Sequence, residues 1–197
     1  MTEPWPITHL RPRNITRHMS PRSTAGTVAA SGFTQRVSVP AQSWTIIYEG
    51  ILVATEEQIR VWDYTEVYLE GGSVPILVPL VGDGHYGADT GDVSGAVAAG
   101  STVMTVGRAY GGILGGYHFS INERLYRVVG VTDVGGGYYN FTFRPPLRED
   151  VPSGWPVFFA ALQCKCRLAS DDEMTMKIEA GRMGTATVRF VEDPNAD

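Results

Sequence analysis

The chain has 197 residues, a formal net charge of −5, 43% hydrophobic residues and 23 glycines. Its length suits a body of about 120 residues plus a smaller module, each with its own core. No apolar run approaches the roughly 20 residues of a membrane span, and the first thirty residues contain no apolar signal core, so we expect a cytoplasmic product without a membrane span. The negative charge disfavours nucleic-acid binding, which needs surplus Lys and Arg.

The segment 1–22 contains several prolines and shows no hydrophobic period, which predicts an extended N-terminal arm. Residues 1–36 hold five arginines and one glutamate, about +4, which leaves about −9 for the remainder. The arm is either solvated or docked on an acidic neighbouring subunit, with nucleic acid as a third option. The candidate subunit-interface residues are its apolar and cationic side chains: Trp5, Ile7, Leu10, Arg11, Arg13, Ile15, Arg17 and Arg22.

Three further segments predict strands before residue 82. Apolar and polar residues alternate over 27–39, which indicates a half-buried strand. The segment 44–53 is more completely apolar and is broken at Glu49-Gly50, so it predicts one strand or a strand pair. The segment 74–80 contains two prolines, which predicts a strand at the edge of a sheet.

One helix is predicted over about 55–70. Thr55 and Gln58 form a Thr-x-x-Gln capping box, in which each side chain bonds to a free backbone amide of the other residue. Trp62 and Leu69 fall on one helical stripe, and Gly71-Gly72 supplies a left-handed stop.

A Gly, Asp and Ala run at 82–100 predicts a boundary loop, after which a new β pattern begins. The predicted strands are 102–106, 117–121, 125–131, 138–143 and 157–162. Five short strands suit a small closed barrel of the oligonucleotide/oligosaccharide-binding (OB) type. A terminal hairpin resembles the first part of the chain, so we predict a mainly β fold with a body of 23–81 plus 163–193 and a barrel inserted at 82–162.

Alternation within 138–144 separates an interior from an exterior face of this barrel. Tyr139, Phe141 and Phe143 share one face, which we assign to the interior. The candidate outer-face contacts, suited to a protein or a glycan, are Tyr138, Asn140, Thr142 and Arg144.

The sequence carries no catalytic or cofactor signature, so we predict a protein that is not an enzyme and needs no cofactor or metal. Cys164 and Cys166 lie on one face of a strand and are interpreted as packed thiols, although a metal shared with another chain stays open. The histidines at 9, 18, 85 and 118 are scattered, and the acidic loop 83–92 lacks the ligand order of an EF-hand.

Several stretches resemble tail proteins of long, flexible-tailed bacteriophages. They include a helix that ends in Gly-Gly before a proline-flanked strand, Gly116-Tyr-His-Phe-Ser-Ile121, Arg144-Pro-Pro-Leu-Arg148 and the closing Val188-Arg-Phe-Val-Glu192. A β body with one helix, interrupted by a small barrel, resembles distal tail proteins, whose body is built like the tail-tube subunit.

The resemblance implies a structural virion protein of the tail tip, made in the host cytoplasm. Members of the family form a six-membered homo-oligomeric ring that joins the tail tube protein to the hub or baseplate protein, and they carry peripheral fibres or receptor-binding proteins. Two alternatives remain open. One is a hub-proximal minor tail protein, and the other is a receptor- or carbohydrate-binding module that uses exposed aromatics such as Tyr110, Tyr117 or Tyr138.

Overall fold

The computed structural model of the chain describes residues 2–25, 36–80, 90–107, 112–178 and 184–193. Within these ranges the chain is mainly β, as predicted. The strands are β1 (Glu3–Pro4), β2 (Asn14–Ala25), β3 (Arg36–Val53), β4 (Ile76–Pro79), β5 (Thr90–Val93), β6 (Val103–Gly107), β7 (His118–Ile121), β8 (Arg124–Gly135), β9 (Tyr138–Arg144), β10 (Pro156–Phe158), β11 (Gln163–Leu168), β12 (Lys177–Ile178) and β13 (Gly184–Glu192). Helix α1 spans Glu56–Leu69, and a 3₁₀ turn follows at Glu70–Gly72.

The strands form two sheets. The first has the order β1-β4-β11-β13-β3-β2, with β12 beside β13, and the second is a closed barrel in the order β10-β5-β6-β9-β8-β7. The first sheet therefore takes its strands from both sides of the barrel in sequence. The barrel has six strands, which corrects the predicted five. The additional strand, β5, lies in the run predicted as a boundary loop, where a short Gly-containing segment gives no alternating pattern.

The predicted helix is confirmed together with its capping box. The Gln58 amide donates to Thr55 Oγ1 at 3.2 Å, and the Thr55 amide donates to Gln58 Oε1 at 3.1 Å. The helix ends at a left-handed residue with φ 45, but this residue is Glu70 and not one of the two glycines after it. Trp62 and Leu69 are buried, so the apolar stripe attaches the helix to the sheet.

The body core lies between one face of the first sheet, helix α1 and the N-terminal segment. Its buried members include Trp5, Leu10, Trp44, Ile46, Tyr48, Trp62, Val188 and Phe190. Full burial of such side chains contributes roughly 1.5–3 kcal/mol each. The predicted break at Glu49-Gly50 is a β-bulge within one continuous strand. Gly50 adopts φ +65, and the register against β13 shifts there.

One other strand prediction needs correction. β4 was expected at the sheet edge, but β1 pairs with it in parallel on its outer side, with Glu3 opposite Ile76. The strand predicted over 27–39 lies mostly outside the described residues, and its described part, 36–39, belongs to β3.

The barrel interior confirms the predicted face. Phe141 and Phe143 are fully buried, and Tyr139 packs partly buried against the same cluster. Phe119 stands edge-on to Phe143, with ring centroids 5.5 Å apart and an interplanar angle of 85°. Aromatic pairs in this geometry contribute about 0.5–1.5 kcal/mol beyond their buried area.

Candidate functional sites: an open sheet edge, a barrel face and the seam

The N-terminal segment is not the free arm that the sequence predicted. Trp5 is 1% exposed and Leu10 is fully buried, and the Trp5 indole donates to the Leu10 carbonyl at 2.9 Å. The Trp5 amide also donates to the Leu77 carbonyl at 2.8 Å, while its ring packs 5.3 Å from that of Phe190. These two side chains complete the core of their own subunit, so they have no surface left for a neighbour.

The other candidate interface residues are placed differently. Ile7 and Ile15 pack, partly buried, against the body core. Arg11 and Arg13 are exposed. Arg17 and Arg22 belong to β2, the strand at the edge of the first sheet.

This open edge, on the unpaired side of β2, is the longest candidate subunit joint in the described chain; by joint we mean a contact between strands of two subunits. β2 pairs with β3 from Asn14 opposite Glu49 to Ala25 opposite Arg36, and among the described residues no strand pairs with its other side. β13 covers β3 only from Thr45 to Val53, so the N-terminal part of β3 and the end of β2 continue as a two-stranded ribbon. Unpaired edges of this kind are templates for pairing with another chain.

The opposite edge of the sheet is closed to such pairing. β1 has only two residues, Glu3 and Pro4, and Pro6 follows closely. Because proline has no amide hydrogen to donate, prolines on an edge oppose further strand addition. Of the two ends of this strand order, the β2 end is therefore the open one among the described residues.

The predicted outer-face residues of the barrel lie along β9. Tyr138 is 45% exposed, and Asn140 and Thr142 are half-buried, with Asn140 Oδ1 accepting from Thr105 Oγ1 at 2.7 Å. The Arg144 guanidinium, also half-buried, donates to the Phe143 carbonyl at 2.9 Å. Tyr138 lies so close to Gly107 that an added Cβ there would be 2.8 Å from its ring.

Sequence reasoning missed the apolar neighbours of these residues. Val103 lies directly opposite Thr142, and Val129 lies in the bulge of β8 between Val128 and Gly130; both are more than half exposed. Together with Tyr138, these valines make the outer face of the barrel partly apolar. The alternation of β6 does place Val103 on the outside, but a single outward valine is too common in strands to predict a binding surface.

Buried charges occupy the seam between barrel and body. Arg148, which follows β9, makes two bonds to the Glu192 carboxylate: Nε to Oε1 at 3.0 Å and Nη2 to Oε2 at 3.1 Å. The Glu192 side chain is 0% exposed and also accepts from the Trp44 amide at 3.0 Å. This carboxylate is thus satisfied by groups from two other segments, β3 and the stretch after β9, and the second of these follows a barrel strand.

A second group of bonds joins the β7–β8 turn to the body. The Trp44 indole donates to the Leu125 carbonyl at 2.7 Å, and the Lys165 amide donates to the Glu123 carbonyl at 2.7 Å. The guanidinium of Arg124 donates to the Asp193 carbonyl. These bonds connect positions far apart in sequence, and no local pattern predicts them.

The groups that could carry chemistry are mostly buried or dispersed. Cys164 and Cys166 are free thiols in the body core, on one face of β11 as expected. Burial is the main cause that raises the pKa of the Cys166 thiol, and the neighbouring Cys164 raises it further. Among the described residues no three His, Cys, Asp or Glu side chains cluster to hold a metal ion, and no helix there is long and apolar enough to cross a membrane. His85 and most of the acidic loop lie outside the described ranges.

Comparison with known proteins finds no family model and no curated protein that matches this chain.

Proposed function

We propose that the chain is a structural, non-enzymatic subunit of a bacteriophage tail tip, which forms a six-membered distal tail ring between the tail tube and the hub or baseplate. The finer fold assignments belong to the same proposal. The first sheet with helix α1 is a tail-tube-like body, and the barrel is an OB-like insert extended by β5.

The observation that carries the proposal is the open edge of β2. It offers twelve consecutive residues to a neighbour, and the ribbon that it forms with β3 reaches past the rest of the sheet. A subunit that assembles by strand pairing needs such an edge, and a monomer would be expected to shorten or cover it. The proposed joint is therefore the β2 edge, which contains the last part of the predicted arm with Ile15, Arg17 and Arg22, while Trp5 and Leu10 belong to the core.

The seam supports the second half of the proposal. A module that carries other tail proteins must keep its orientation relative to the ring. The Arg148–Glu192 pair and the bonds from Trp44 and Lys165 fix the barrel to the body at several points. The partly apolar outer face of the barrel then faces a peripheral partner.

The test is electron microscopy and sedimentation of the purified chain, with six-membered rings as the expected result. Two single variants, Thr16→Pro and Arg17→Pro, refine it. Successive amides of a strand point to opposite edges. Thr16→Pro therefore removes a bond to β3, whereas Arg17→Pro alters only the free edge. Arg17→Pro should keep the thermal stability of the parent and lose the rings. Thr16→Pro is its matched control.

Rings that persist unchanged in both proline variants would show that the joint lies elsewhere. A protein that stays monomeric at every concentration, also with tail tube or hub protein added, would contradict the proposed function itself.

A further inference from the structure

A cleft of about 440 Å³ opens beside the seam, between the β7–β8 turn, the segment around β10 and strand β11. Two aromatic side chains on its wall are unusually exposed for their size, Trp155 at 42% and Phe158 at 36%. Clefts that combine apolar surface with a few polar groups are the usual form of small-molecule sites.

The polar lining of the cleft is rich in hydrogen-bonding groups and has no net charge. Asn122 and Gln163 contribute amides, which both donate and accept. Glu123 and Glu149 are balanced by two cations, Arg124 and Lys165, which are almost fully buried. A cleft without net charge does not favour a strongly charged ligand, whereas Asn122, Gln163 and Glu123 offer hydrogen-bonding groups to a neutral ligand with many hydroxyl groups.

The turn that carries two of these groups adopts an unfavourable backbone conformation. Asn122 and Glu123 have φ +48 and +61 at the centre of a two-residue hairpin that joins Ile121 to Arg124. Such turns favour Asn followed by Gly, and a glutamate at the second position is strained. The Lys165 amide holds the Glu123 carbonyl at 2.7 Å, which fixes the turn against the body. The turn therefore presents Glu123 at the wall of the cleft.

We propose that this cleft binds a neutral oligosaccharide. The CH faces of a sugar ring pack on Trp155 and Phe158, because the electron-rich face of an aromatic ring attracts weakly positive CH groups. The amides of Asn122 and Gln163 and the carboxylate of Glu123 bond to its hydroxyl groups. The site lies apart from the β9 outer face and from the β2 edge, and it goes beyond the proposed structural function.

The experiment uses the full chain with maltotriose, cellotriose, mannotriose and the N-acetylglucosamine trisaccharide as probes. Saturation-transfer NMR and tryptophan fluorescence should detect at least one of them with a dissociation constant on the order of a millimolar. Trp155→Ala should weaken that binding about tenfold or more, because it removes the aromatic anchor. Tyr64→Ala, at an exposed aromatic residue of helix α1 outside the cleft, is the matched control and should leave binding unchanged.

Glu123→Gly separates binding from folding. It removes the side chain but suits the left-handed backbone, so the midpoint of thermal unfolding should stay the same or rise while sugar binding weakens. Failure of all four sugars to bind overturns the proposal, as does binding that Trp155→Ala leaves unchanged. A proline-rich decapeptide that binds the cleft when no sugar does would also overturn it, in favour of a peptide site. Because each outcome is read on the single chain, it is independent of ring formation.

Discussion

Arg148→Met tests whether the seam holds the barrel and the body together. The substitution keeps a long apolar stem but leaves Glu192, whose side chain is 0% exposed, without its two guanidinium bonds. Removing one member of a buried ion pair costs about 3–5 kcal/mol, because the remaining charge cannot be hydrated. That is a large part of the roughly 5–15 kcal/mol by which a domain is stable.

The measurement is equilibrium unfolding in guanidinium chloride, followed by the fluorescence of the four tryptophans, of which Trp44 lies in the seam. The double variant Arg148→Met/Glu192→Met should lose less than the sum of the two single variants, since no charge is then left unpaired. His9→Ala is the control. It breaks a pair at 4.0 Å whose side chains are 40% and 61% exposed, and it should cost at most about 1 kcal/mol. A similarly small loss for Arg148→Met would refute the argument.

Four other predictions follow from the described contacts. Because burial raises the pKa of the Cys166 thiol, the reactive thiolate is disfavoured, so iodoacetamide at pH 8 should label the cysteines only when the protein unfolds; labelling of the native protein would contradict this. Trp5→Ala should lower the free energy of unfolding by about 3–5 kcal/mol, whereas a free arm would lose nothing. Thr55→Ala should cost about 1 kcal/mol in the same assay by removing the helix cap. Replacing 90–158 with a short Gly/Ser linker should unfold the body, since Glu192 would lose Arg148, and protected amides in that protein would disprove it.

Local interactions explain what the sequence predicted correctly. The capping box at Thr55 acts over three residues, so its signal is complete within the helix itself. The interior face of β9 follows from strict alternation along one strand, which Phe141 and Phe143 obey. Both features depend on short spacings that any reader of the sequence can measure.

The errors arose where distant residues decide the structure. Prolines hide the period of the first 22 residues, and only the distant Leu77 carbonyl and Phe190 ring show that Trp5 is a core residue. The same reason applies to the seam, because Arg148 and Glu192 are 44 positions apart. Each appears on its own as an ordinary charged residue, and their burial becomes visible only when the barrel is placed against the sheet.

The position of β13 has a consequence for the order of events during synthesis. Of the described strands this one leaves the ribosome after all the others, yet it lies in the middle of the first sheet and joins β3 to β11. The barrel, whose strands are contiguous in the chain, can form earlier. Until β13 arrives, the apolar faces of β3 and β11 have no common partner, so the nascent body depends on chaperones for longer than the barrel does. Translation that stops before residue 184 would release a folded barrel attached to an aggregation-prone half sheet.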